Sequence, residues 1–347
     1  MLNIHSNIEH PKIVTGETIL SWVCRGLSLD QLKNPHLFRM VIQRCSAPDP
    51  LEVGVISEWQ QTFGSDVEFD ESSELISVFH ATYYECTTFI DSYFRSSGLP
   101  LTKLRYRNLS CEDCLAHSFF SFRFPVWKKD WCNLTSAYCP EHQRLLTCPP
   151  TLPPIESRMW DCYLHNLWRG RSPAKPEERR LALLAGKVQA WIQKRVATHP
   201  LESDVIHSLY GLLLSRRTLH AAEGVAASGF GHPPRSPYRW HLDVQERLDF
   251  GMHSANGVQR GGAMLLMGWL LGLYPAKDIN NAIRGNRMVR RSLPKSPRML
   301  GSLAARVCTS REEGEVISHK LQALRKYETE NIADFMGGLN AVLLSLR

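Results

Sequence analysis

Apolar side chains recur every three or four residues through most of this chain, the period of helices that bury one face. Thr15 is placed to cap a first helix carrying Ile19, Leu20, Trp22, Val23 and Leu27, and Ser28 or Asp30 starts a second with Leu32, Leu37, Met40, Val41 and Cys45. The Ala47-Pro48-Asp49-Pro50 break ends it. A long amphipathic helix is expected over Ser72 to Ser96, on Leu75, Ile76, Phe79, Tyr83, Ile90 and Phe94. Further on, Leu181, Leu184, Val188, Trp191, Ile192 and Val196 mark one helix, and Val205, Ile206, Leu209, Leu212 and Leu213 mark the next. Near the C-terminus a run from Met264 to Leu271 stops at Gly272 and Pro275, and a new pattern starts around Ala276 with Ile279, Ile283 and Met288. Two helices about a short Gly-containing turn make residues 262 to 291 a candidate helix-turn-helix. Helices over about Arg311 to Tyr327 and Glu330 to Leu346 close the chain.

The breaks between these patterns organise the molecule. Pro149 to Pro154 (PPTLPP) cannot be helical, Arg171 to Pro176 reads as a linker, and Gly229 to Pro237 is a loop. The expected division is 1–170, holding the N-terminal helices and a zinc-finger region at about 107–165, and 171–347, a helical C-terminal domain. The fold class is therefore mainly α, with an inserted zinc-finger module and a candidate helix-turn-helix in the C-terminal part. The 347 residues suffice for two cores, and 43% hydrophobic with 22% charged residues excludes wholesale disorder. The longest apolar run, Gly262 to Tyr274, is too short to cross a membrane. The first residues carry no basic and apolar leader, and ten scattered cysteines read as thiols of a reducing compartment. The expectation is a soluble, cytoplasmic protein.

Candidate chemistry concentrates in Leu109 to Pro150, which brings the pair Cys111 and Cys114 together with the pair Cys139 and His142. Two residues between ligands let a tight turn aim both donors at one ion, so the four are read as ligands of a structural Zn²⁺. The long interval between the pairs favours a staple within a domain over a single DNA-reading finger. The plainer alternative is four reduced side chains packed as small apolar groups. A catalytic zinc is disfavoured, because a fourth ligand is present and no glutamate stands where a base is needed. Aromatic residues of the same stretch, Phe119, Phe120, Phe122, Phe124, Trp127 and Trp131, are expected to bury against the metal core.

The charge balance, 41 basic against 34 acidic residues or +7, favours a polyanionic partner. It is uneven. Arg284, Arg287, Arg290, Arg291, Lys295, Arg298, Arg306 and Arg311 follow one another with no Asp or Glu between Asp278 and Glu312. A solvated basic face is the ordinary reading; following a candidate helix-turn-helix, the first six are candidates for contact with nucleic acid or a nucleoprotein.

In order, R-x-L-x-C-x-x-C-L from Arg107 to Leu115, Arg123, Trp127, and C-P-x-H-x-x-x-L-x-x-C-P from Cys139 to Pro149 resemble the zinc-binding region of the TniQ family. That family comprises transposon target-selection proteins, TnsD and the adaptors of CRISPR-associated transposons among them. The opening from Gly16 to Arg25 is similar to the family's G-E-S-L-x-S-W-L-x-R, in which Glu17, Trp22 and Arg25 look like a packing and hydrogen-bonding signature. The resemblance covers about the first half of the chain, to near Arg169. Where the family has a second set of zinc ligands, this chain departs: Cys148-Pro149-Pro150-Thr151 and Cys162-Tyr163-Leu164-His165 leave Cys148, Cys162 and His165. A second zinc completed by Cys132 or water and a metal-free second finger both stand on ligand count.

No nucleotide-binding or hydrolase motif occurs, and the expectation is a non-enzyme. The resemblance implies two partners: a TnsC-type ATPase regulator downstream, and upstream a fixed DNA site or an RNA-guided Cascade complex. One candidate helix-turn-helix is little for reading an extended site, since each bidentate base contact supplies about 1–3 kcal/mol of discrimination. A Cascade adaptor, which delegates sequence reading to a guide, is thus preferred, with C-terminal helices available for a homodimer. The alternatives are a TnsD-like sequence-specific selector, a stand-alone helix-turn-helix regulator and, least favoured, a zinc nuclease or deaminase.

Overall fold

The computed structural model describes Lys12, Val14–Thr18, Ser21, Trp22, Arg25 and residues 99–103, 106–150, 158–169, 176–199, 202–231, 242–284, 289, 293–327 and 329–346. The apolar patterns at 27–45 and 72–96, residues 171–175 of the linker, Pro233-Pro234, and Arg287, Met288, Arg290 and Arg291 lie outside them. The described chain is mostly helical, with one two-stranded ribbon. It divides into two compact units, Met1–Asn133 with Cys148–Arg171, and Leu134–Thr147 with Ser172–Arg347.

In the first unit, helices α1 (Glu112–Phe122) and α2 (Arg158–Arg169) pack together. Phe119 stacks on Tyr163 and meets Trp160 edge-on, and Phe124 meets Trp160 likewise. The N-terminal block is fixed onto the following stretch by main-chain bonds. Thr18 N–H donates to Trp127 O (2.9 Å) and Lys129 N–H to Gly16 O (2.7 Å). Ser21 Oγ accepts from Trp127 N–H and donates to Glu17 Oε1. Glu17 is buried in a two-pronged ion pair with Arg25, at 2.7 and 3.1 Å, with Trp22 buried beside them. A carboxylate removed from water is stable only when its oxygens are so satisfied. Glu17, Trp22 and Arg25 therefore serve structure here.

The aromatic expectation holds only in part. Phe124, Trp127 and Trp131 are buried, but Phe120 is 68% and Phe122 42% exposed. Helical spacing accounts for Phe120, turned away from the inner face of Leu115 and Ser118; Phe122 is in line with that face but is the last residue of α1, with Arg25 over its ring at 5.6 Å.

The second unit contains the ribbon β1 (Tyr138–Cys139) and β2 (Arg144–Leu145), antiparallel with Cys139 opposite Arg144. Among the described residues its α-helices are α3 (Pro176–Thr198), α4 (Ser203–Leu214), α5 (Val225–Gly229), α6 (Val244–Ser254), α7 (Gly257–Leu270), α8 (Ala276–Ala282), α9 (Pro297–Ala304), α10 (Arg311–Leu321) and α11 (Glu330–Leu343). Asp243 with Glu246 and Asn256 with Gln259 form capping boxes that start α6 and α7, satisfying amides the helices leave open. α7 is the central element, buried along almost its whole length and packed on α3, α4 and α5. Arg260 is fully buried in it. Its guanidinium donates to the carbonyls of Met252, His253 and Ala255 at the end of α6, where a cation is favoured by the helix dipole. α9 and α11 pack closely: a Cβ at Gly338 would meet Arg298 O at 1.9 Å, and one at Gly301 would meet Phe335 O at 2.0 Å.

Candidate metal centre

Cys111 stands at the N-cap of α1 in an extended conformation (φ −95°, ψ 120°), and Cys114 follows within the first turn. Leu115 N–H bonds Cys111 O, so the two intervening residues curl both thiols to one side of the helix start. The second pair is shaped by the ribbon. Cys139 ends β1, Pro140 turns the chain, and Gln143, with a left-handed φ of 49°, brings it back into β2 with His142 on the turn.

The Sγ atoms of Cys111, Cys114 and Cys139 and a ring nitrogen of His142 lie within 4.8 Å of one another. Cys139 Sγ is 3.8 Å from His142 Nδ1. Donors on a tetrahedral zinc, with Zn–S of about 2.3 Å and Zn–N of about 2.0–2.1 Å, stand about 3.6–3.8 Å apart. The three thiols are buried and the imidazole is exposed. Three soft sulfurs and one imidazole, all within 4.8 Å of one another and with the Cys139–His142 pair at a tetrahedral edge, fit zinc; this set could hold such an ion.

The residues that hold the ribbon carry no motif. Gln189, in the middle of α3, accepts through Oε1 from the amides of Ala137 (2.8 Å) and Tyr138 (3.0 Å) and donates to Tyr138 O (3.2 Å). Arg260 donates to Ser136 O at 3.2 Å. Leu146 N–H returns to Ala137 O. The one sign of them in the sequence is polarity out of place, a Gln between Val188 and Ile192 on the inner face of a helix.

Cys148, Cys162 and His165 are not gathered into a comparable cluster among the described residues. Cys162 is buried, its Sγ 4.0 Å from Asn108 O, and its thiol is pushed up to about 12 by burial, with Arg158 pulling the other way. Cys148 and His165 are half-buried. Cys132 is buried and faces Lys128 O at 3.9 Å. Of the candidate basic contacts, Arg284, Lys295 and Arg298 are exposed. α8, following the turn after α7, exposes Lys277, Asn280 and Asn281 while burying Ile279 and Ala282. No described helix is long and apolar enough to cross a membrane.

Protein-family models, curated proteins and solved structures were all compared with the chain, and none of them matches it.

Proposed function

We propose that this protein is a non-catalytic, cytoplasmic target-selection adaptor of DNA transposition, related to the TniQ family, and that it links an RNA-guided Cascade complex to a TnsC-type ATPase. The observation that carries the reading is the joining of two sequence blocks. The Gly16 to Arg25 block and the zinc-type stretch each resemble the family separately, and Trp127 is bonded on both sides to the first block, through Thr18 and Ser21. The Cys111, Cys114, Cys139 and His142 cluster supports the same reading. In this role the zinc is structural: it shapes a surface for protein partners, and the free energy of binding it is folding free energy.

The experiment is co-purification of the tagged, zinc-loaded chain with a Cascade complex and a TnsC-type ATPase. Recovery of both in stoichiometric amounts is expected. Failure with both, together with nanomolar binding of the isolated chain to one duplex sequence, would replace this reading by a fixed-site selector of the TnsD type. That second reading draws on α8, whose outward Lys277, Asn280 and Asn281 are side chains suited to phosphates and to adenine edges in a helix-turn-helix arrangement.

A further inference from the structure

The inner face of α3 is filled by Leu181, Ala185, Val188, Ile192 and Val196, so its core-forming periodicity is already used. A second pattern lies outside. Arg180, Leu183, Lys187, Ala190, Lys194 and Ala197 are all exposed and alternate by three and four residues, the 3.5-residue repeat that keeps a seam turned toward one partner helix. The cations sit at every seventh position, about 10.5 Å apart at 1.5 Å per residue. None of the three takes part in an ion pair with another described residue.

A cleft of about 710 Å³ opens along this seam. Its lining is largely apolar, from Leu183, Leu184, Ala190 and the ring of Tyr138, with Arg180 and Lys187 along α3 and with Asp278 and Asn281 of α8 on the far side. Gly186 makes the floor: a Cβ there would stand 2.7 Å from the Tyr138 ring, so only glycine lets that ring lie against α3. Tyr138 directly precedes Cys139 and has its amide held by Gln189, which ties the wall of the cleft to the ribbon.

We infer that this seam and cleft form a docking groove for an acidic amphipathic helix of a partner protein. Charge complementarity fixes the sign: the three cations at heptad spacing, two of them lining the cleft, outnumber the single carboxylate of Asp278 and ask for acidic side chains at the same spacing, while the residues between them accept apolar ones. The apolar lining decides between macromolecules, since a phosphate backbone would leave Leu183, Leu184 and Ala190 without a counterpart. The inference is independent of the transposition reading, as it rests on α3, α8 and the ribbon alone.

The probe is a fluorescent helical peptide of three heptads with Glu and Leu at alternating seam positions, titrated against the full zinc-loaded chain by anisotropy. Saturable binding is expected, weakened at least tenfold in the triple variant R180E/K187E/K194E. A peptide with Lys in place of the seam Glu should bind that variant and not the parent, a swap that an unfolded variant could not produce. Absence of saturable binding to the parent would overturn the proposal, as would a triple variant within twofold of it. A triple variant that loses affinity for duplex DNA while keeping the peptide would assign the stripe to nucleic acid instead. Peptide binding does not require Cascade or the ATPase, so a failed co-purification leaves the titration intact and a failed titration leaves the co-purification intact.

Discussion

At the scale of single residues, the molecule is stabilised where polar groups leave water fully satisfied. Glu202 shows the balance of forces: burial alone would raise its carboxyl, but bonds from Arg195 (2.7 Å), the Tyr327 hydroxyl (2.7 Å) and Lys326 outweigh it and hold the group at about 2, below the ordinary 4.5. A carboxyl with a depressed folded-state pKa stabilises above its unfolded value and loses that contribution as pH falls toward the folded one. Glu202→Gln should therefore lower the melting temperature at pH 6–7, and the gap to the parent should close between about pH 4.5 and 2. A gap independent of pH, followed by circular dichroism, would mean the charge is not what matters. The same logic at the metal centre gives Cys139→Ser. Removing one of four ligands should reduce bound zinc, measured by elemental analysis, from about one per chain to well below half, with destabilisation of the 109–148 stretch. A metal-free parent that stays folded would sink the zinc assignment.

At the scale of elements, what could be read in advance was what depends on local order. α3, α4 and α11 follow from apolar residues at helical spacing, and the ligand pairs follow from two-residue knuckles, because both signals are confined to neighbours along the chain. What could not be read depends on which distant backbone comes near. Gln189 and Arg260 look like polar residues misplaced on apolar helices until the ribbon and the end of α6 supply carbonyls and amides for them. The exposure of Phe122 was equally hidden, since it is in line with Leu115 and Ser118 and is left half out of the core only because α1 ends there. α9 and α11 give the same lesson for glycine. Gly338 adds nothing to the helical pattern, yet with no side chain it lets α11 press against Arg298 O. Gly338→Ala should cost about 1–3 kcal/mol by forcing these helices apart, although alanine is the better helix former by about 1 kcal/mol. Denaturant unfolding checks it, and a stabilised variant would show that the contact relaxes freely. Gly337, its neighbour, has nothing within 4 Å of a built Cβ, so Gly337→Ala is the control and should be neutral or stabilising.

At the scale of the whole molecule, the excess of seven positive charges and the acid-free stretch from Ile279 to Arg311 raise the question of how the chain meets nucleic acid. Exposed cations that meet phosphates release counterions, so log K falls with log salt by about 0.9 per phosphate contact. Arg284, Lys295 and Arg298 are exposed, and their joint replacement by alanine should flatten that slope by up to about 2.7 if each meets one phosphate. The same measurement separates an adaptor from a reader. A site-specific reader prefers its own sequence by about 10³ to 10⁷ over unrelated duplexes, and phosphate substitutions weaken both without changing that ratio. An adaptor that leaves sequence to a guide has a ratio near one. For this chain the expected result is weak binding to unrelated duplexes, equal within about tenfold, and lost in parallel in the triple variant. An unchanged slope would return these side chains to a solvated face. A ratio of a thousand for any one duplex would place base reading in the protein itself, and α8, with Lys277, Asn280 and Asn281 outward, would be the first element to mutate.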